Sequence, residues 1–260
     1  VTPFPTLFKG TMWATNLTTV AMTVLAGLLV LVFVRLGVRR MDMRSPRGMQ
    51  NVVEWAADFV TNMARETMPN ERIVQWVLPL AFMMLVFLFF ANWLGLIFVV
   101  DLKIGHPIPW LGITAEDIAK AHQSGKDFAI ELFNSPTANM SMALGLAIMV
   151  WVISHAVGLR HPLQWLKHYK NPMAILEEIT NPLTHGMRLY GNIFAGEALI
   201  GVLAGAPMLF GFIPWSLPLL VVWVFYSAFV STIQAYVFTI LMTLYIGNKA
   251  HGDHNHQATA

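Results

Sequence analysis

Two charged side chains stand in a stretch that otherwise reads as membrane-embedded. Arg188 and Glu197 both belong to Asn181-Pro-Leu-Thr-His-Gly-Met-Arg-Leu-Tyr-Gly-Asn-Ile-Phe-Ala-Gly-Glu197. A guanidinium keeps its proton in any protein, so Arg188 can act only as a fixed positive charge. Glu197 can take up a proton and release it. An ionisable group at bilayer depth costs at least ~2.5–3.5 kcal/mol to insert, so such residues mark ion or proton pathways. The competing structural reading makes Arg188 a cation satisfied by Glu177, Glu178 or backbone carbonyls, and lets Glu197 snorkel toward water.

Helical geometry separates the charges. At ~100° and ~1.5 Å per residue, Arg188 and Glu197 fall on opposite faces about 13 Å apart along the axis, which disfavours a direct ion pair. Glu177, Asn181, Thr184, Arg188 and Asn192 fall within about 40° of one line, a polar stripe flanked by Glu178 and His185. Gly186, Gly191, Ala195 and Gly196 are small enough to let another helix approach. Further on, Ser227, Ser231, Gln234 and Tyr245 share a face. If the two segments are antiparallel neighbours, Gln234 stands near Arg188 and holds its guanidinium; alternatively it only joins helices. Protons would pass on either side of the arginine, through Glu197 toward the outer end and Glu177 or Glu178 toward the inner end. No mobile carboxylate to carry them across the gap is evident in the chain.

The elements that must position these residues are those of a membrane protein. Of 260 residues, 56% are hydrophobic and only 12% charged, where a soluble domain carries about 25% charged residues. There is no cysteine, so disulfides and thiolate metal sites are excluded. A net charge of +2, with no basic patch outside the loops that flank the spans, argues against nucleic acid. The methionines and tryptophans suit apolar packing and interfacial anchoring, and no cofactor is expected.

Apolar runs predict spans over about 13–35, 73–100 and 136–158, and two longer helices over about 172–204 and 217–248. The first run is too long for a secretory signal and no basic region precedes it. The last two would each measure about 50 Å against a ~30 Å hydrocarbon core, which predicts a strongly tilted hairpin. Gly205, Pro207, Gly211 and Pro214 supply its turn. Over 48–67, Met49, Val52, Val53, Ala56, Val60 and Met63 recur at helical spacing opposite Gln50, Asn51, Glu54, Asp58, Asn62 and Arg65, which predicts an amphipathic helix on the membrane surface. Asn92 reads as an amide that joins helices, Asn139 opens the third span, and His155 reads as an interfacial residue. An outer loop over 101–135 is expected to hold a short helix from Thr114 to Phe133, and the tail over 249–260 to be disordered. A metal site on its His251, His254 and His256 is the lesser alternative.

Arg35, Arg39, Arg40, Arg44 and Arg47 follow the first span, and Arg160, Lys167 and Lys170 the third. By the positive-inside rule the N-terminus lies outside and the C-terminus in the cytoplasm. The expected fold is therefore all-α: one integral membrane domain over 1–260, with five membrane segments and one interfacial helix. No internal repeat is visible, which speaks against a transporter of inverted halves.

The run Met187-Arg188-Leu189-Tyr190-Gly191-Asn192-Ile193-Phe194-Ala195-Gly196-Glu197 resembles the signature of subunit a of the bacterial F-type ATP synthase, Gram-positive branch. Gly48-Met-Gln-Asn-Val-Val-Glu54, Ser135-Pro-Thr-Ala-Asn139 and Thr232-Ile-Gln-Ala-Tyr236 are similar to further motifs of that family, in its order and spacing. The resemblance implies a non-catalytic stator subunit of the bacterial cell membrane. Its partners would be a c-ring, the b subunits of the peripheral stalk and lipid. It makes Arg188 the essential arginine, Glu197 the carboxylate of the outer half-channel, and Asn192 and Gln234 supporting polar positions. Glu177 and Glu178 match the acidic pair near the inner access path. Some relatives carry histidine at the position of Ser227, and alkaliphile relatives lysine at that of Gly196. Against this stand a self-contained ion channel or transporter and a purely structural membrane anchor.

Overall fold

A computed structural model describes residues 6–7, 15–39, 42, 47–68, 70–97, 101–103, 106, 108, 116, 118–119, 129–131, 134–159, 172–206, 208–209 and 213–250. Six long helices carry the fold: α1 (Leu17–Val38), α2 (Met49–Thr67), α3 (Glu71–Ile97), α4 (Met140–Gly158), α5 (Pro172–Ala204) and α6 (Leu217–Ala250). Among the described residues, three antiparallel ladders of two or three residues accompany the helices. They pair Thr6–Leu7 with Thr15–Asn16, Asp101–Lys103 with Ala129–Glu131, and Met208–Leu209 with Ile213–Pro214. Ala129–Glu131 was expected within a short loop helix; pairing with Asp101–Lys103 instead satisfies its backbone in a strand.

Local signals set the boundaries. Asn16 caps α1 by accepting from the Thr18 and Thr19 amides at 3.0 and 3.3 Å. Asn139 caps α4 through the Ser141 amide at 3.0 Å, and its amide group donates to Thr19 Oγ1 at 3.3 Å, joining α1 to α4. A single 3-10 turn, Pro136–Ala138, feeds the chain into α4. Pro79 and Pro182 lie inside α3 and α5, and both helices run on through them. Lys249 and Ala250 belong to α6 and not to a disordered tail; His251, His254 and His256 lie outside the described residues.

Among the described residues, four helices are long and apolar enough to cross a membrane: α1, α3, α4 and α6. The sequence led to an expectation of five. The remaining candidate, α5, is as long as needed but carries Glu177, Glu178, Arg188 and Glu197. The outer surface of the spans is apolar, with Val24, Leu31, Val32, Val222, Phe225 and Phe229 all exposed, as hydrocarbon contact requires.

The core lies where α2, α3, α4, α5 and α6 meet, around Val60, Val77, Leu88, Val150, Leu189, Ile193, Phe238 and Met242. The amphipathic helix differs from its sequence reading in one respect. Gln50, assigned to the polar face, is buried, where it accepts from the Asp42 amide and donates to the Asp42 carbonyl, both at 3.0 Å. It thereby fastens the chain ahead of α2, while Val52, Trp55 and Phe59 stay exposed. At the other end of α2, Arg65 forks onto Glu71 at 3.0 and 3.3 Å across the turn to α3.

Close helix approach depends on glycine at a few points. A Cβ on Gly186 would sit 3.1 Å from Leu144 Cα and 3.2 Å from the Ala143 carbonyl oxygen, so α4 and α5 touch backbone to backbone there. Gly186→Val is expected to cost roughly 1–3 kcal/mol by forcing those helices apart, read as a lower thermal midpoint of the detergent-solubilised protein.

Candidate functional site

Helices α5 and α6 run antiparallel, as their contacts record from one end to the other. Ser216 Oγ donates to the Leu203 carbonyl at 2.5 Å, and Trp223 Nε1 donates to the Gly196 carbonyl at 3.2 Å. Asn192 Nδ2 donates to Gln234 Oε1 at 2.9 Å, His185 stacks on Phe238 at 3.8 Å between centroids, and Lys249 pairs with Glu178. The small residues of α5 permit this fit: a Cβ on Gly196 would sit 3.3 Å from Ser227 Oγ.

The polar groups of α5 divide between two directions. Glu177, Thr184, Arg188 and Asn192 are exposed and Asn181 is half-buried, so the stripe read from the sequence faces away from the bundle. Among the described residues Arg188 has no ion pair and no hydrogen-bonded side chain. Gln234 does not hold its guanidinium, because that buried amide accepts from Asn192 instead. The reason is register: Asn192 is one turn beyond Arg188 on the same face, and it is the residue level with Gln234.

Glu197 points the other way, into the bundle. Its Oε1 accepts from the Ser135 amide at 2.9 Å. Gly95 provides the room, since a Cβ there would collide with the Glu197 carboxylate. Ser135 is in turn fixed by Oγ donation to the Ala91 carbonyl at 2.8 Å and by contact with Thr137 Oγ1 at 2.6 Å. Thr137 donates to Asn92 Oδ1 at 2.7 Å, and Asn92 Nδ2 donates to the Ser231 carbonyl at 3.1 Å. A buried hydrogen-bonded chain thus links α3, the 3-10 turn and α6 behind one half-buried carboxylate. Asn92 reads from the sequence as a joining amide, while Gly95, Ser135 and Thr137 were not singled out for this site. A glycine inside a span and two hydroxyls flanking a proline at a span's entry mark close packing without naming a partner.

The remaining sequence candidates fall into the interior. Ser227, Ser231 and Gln234 are buried along one face of α6, with Ser231 contributing its carbonyl to Asn92. Ser227 Oγ and His185 Nε2 are buried with no hydrogen-bond partner among the described residues. His185 lies between Phe238 and Tyr245, whose ring meets it edge-on at 5.7 Å, so it belongs to the core and not to the exposed stripe. At the far end Glu178 accepts from Trp151 Nε1 at 3.0 Å and pairs with His155 Nε2 at 3.1 Å and with Lys249. Among the described residues no group of three metal-ligating side chains occurs.

An arginine exposed on one face of a helix, with a half-buried carboxylate on the other, invites comparison with known proteins. A family model described as ATP synthase A chain matches residues 20–247. This chain belongs to that family. The ATP synthase subunit a of Bacillus subtilis (strain 168) is 36% identical over 259 residues, covering 92% of this chain and 94% of its own length. That of Streptococcus gordonii is 35% identical over 246 residues, covering 92% and 93%, and that of Oceanobacillus iheyensis is 33% identical over 249 residues, covering 92% of each. With four apolar spans, this member of the ATP synthase A chain family is a multi-pass membrane protein.

The hydrogen-bonded chain behind Glu197 is open to test. Asn92→Leu removes the acceptor of the Thr137 hydroxyl and the side-chain donor to the Ser231 carbonyl, at an expected total cost of about 1–3 kcal/mol. A thermal melt of the solubilised protein reads that loss, and an unchanged midpoint would contradict the role given to Asn92.

Proposed function

We propose that this chain is the proton-conducting stator subunit of an ATP synthase membrane motor, a non-catalytic subunit that works against a c-ring. The observation that supports this best is the division of charge on α5. Arg188 faces outward with no acid of its own chain paired to it among the described residues, while Glu197 faces inward at a different height. A fixed cation on an outer face needs an anion from elsewhere. A c-ring carboxylate passing Arg188 would be held ionised while opposite it and would exchange its proton on either side.

In this reading Glu197, set by the Ser135 amide and Gly95, loads protons from the outer side. Glu177, along the Arg188 stripe, serves the inner side, and Glu178 beside it is tied to Lys249 and His155 at the inner end of the bundle. Asn192 and Gln234 support the arginine's face by fixing each other, and Asn181 and Thr184 keep it polar. Asn92 holds the outer network, Asn139 fixes the entry of α4, and His185, Ser227, Ser231 and Tyr245 line the interface between α5 and α6. Counting α5, the chain has five membrane segments, and the long α5–α6 hairpin absorbs its excess length by tilt. The b subunits of the peripheral stalk and lipid cover the other faces, in a bacterial cell membrane, with the N-terminus outside and the C-terminus in the cytoplasm.

Neutralising the barrier decides the matter. Arg188→Ala is expected to abolish coupled ATP synthesis in membrane vesicles while the complex still assembles, and normal coupled synthesis would refute the assignment. A self-contained channel predicts instead that the purified chain alone gives proton flux in liposomes, where the stator reading expects none above background. Orientation is tested separately: the chain lacks cysteine, so single cysteines at Arg47 and at Gly205 should label from opposite sides of intact cells, Arg47→Cys only from within.

A further inference from the structure

The two acids at the inner end of α5 are neighbours in sequence and differ in surroundings. Glu177 is exposed, while the Glu178 side chain is 14% exposed. Eleven positions bring Glu177 to within about 20° of the Arg188 face, whereas Glu178 is turned about 80° from it. Glu178 Oε1 pairs with Lys249 from the last turn of α6. Glu178 Oε2 receives Trp151 Nε1 at 3.0 Å and meets His155 Nε2 at 3.1 Å, both from α4. His155 is itself fixed, with Nδ1 2.8 Å from the Trp151 carbonyl oxygen and its ring packed on the Trp151 indole at 4.2 Å. Lys249 and His155 are as secluded as their partner, at 15% and 14% exposure. Both oxygens of Glu178 are therefore engaged, by groups from two other helices.

We propose that Lys249, His155 and Trp151 hold Glu178 as a positioning anion that ties the inner ends of α4, α5 and α6 together, and that Glu177 alone of the two acids exchanges protons on the inner side. A carboxylate that accepts from an indole and pairs with two basic groups has both oxygens engaged and can take a proton in transit only by weakening those contacts. The exposed neighbour has that freedom, and it shares its face with the arginine. The knot's work is mechanical: it fixes the inner end of α6 against α4 and α5 and so stabilises the bundle, while the Asn192–Gln234 pair and the close approach at Gly196 keep the register near Arg188. This assignment rests on the proton-path reading of Arg188.

The test uses the whole synthase in inverted membrane vesicles, with ATP-driven proton pumping scaled to the amount of assembled complex. Glu177→Gln is expected to lower pumping at least tenfold with assembly unchanged, and Glu177→Asp to restore most of it. Glu178→Gln and Lys249→Met are each expected to lower the thermal midpoint of the complex by several degrees while pumping per complex stays within about twofold. The double variant is expected to be no less stable than either single one, because a lone buried charge costs more than the loss of both. Glu178→Gln without pumping in assembled complexes, or Glu177→Gln with normal pumping, would overturn the proposal. If Glu178→Gln fails to assemble, Lys249→Met decides alone, since it leaves both acids in place: lost pumping in that variant would equally overturn it. Arg188→Ala in the same vesicles separates the two failures, because normal coupling there refutes the proton-path reading itself.

Discussion

A charge that cannot be neutralised has to be given a direction. Arginine keeps its proton, and hydrocarbon does not solvate it. Within α5 the guanidinium could be answered from inside the bundle or left for a surface beyond this chain. The fold takes the second course: the interior side of α5 is filled by Leu189, Ile193 and the His185 ring. The acid that could have answered it, Glu197, is about two and a half turns along α5 on the opposite face and engaged with the Ser135 amide. Much else in the bundle follows from keeping those two apart.

Separation requires that α5 be tightly gripped, because a rotated helix would bring the arginine inward. The grip comes from three kinds of contact along α5 and α6. Gly186 meets the backbone of α4, and Gly196 meets the Ser227 side chain of α6, which removes the slack around α5. The Asn192–Gln234 amide pair and the Trp223 bond to the Gly196 carbonyl set the register. The Glu178 knot closes the inner end. An ion pair so placed is weak evidence of net stability, since desolvation offsets most of its attraction; its value lies in specifying one arrangement. On the outer end, the chain from Ser135 through Thr137 and Asn92 to the Ser231 carbonyl has the same specifying role without charge.

The two acids of Glu177-Glu178 show how the same residue type acquires different roles from direction alone. A single step of about 100° takes one side chain to the open stripe and the other into a cage of indole, imidazole and ammonium groups. No propensity distinguishes them.

Much of this protein was legible from its residues. The apolar runs gave the helices because only a helix satisfies its own backbone in hydrocarbon, and their ends moved by no more than about four residues, within the ordinary spread of such boundaries. The opposite directions of Arg188 and Glu197 followed from nine residues of helical rotation, which no tertiary contact could undo. What the sequence could not reach were meetings between residues distant along the chain. Gln234 was matched with Arg188 by similar height, yet a shift of one turn gave it to Asn192. Ser135, Gly95 and Lys249 carried no local sign of their carboxylate partners. Periodicity fixes the azimuth of each side chain on its own helix; only packing fixes how far each helix slides along its neighbour, and a hydrogen bond responds to displacements far smaller than one turn.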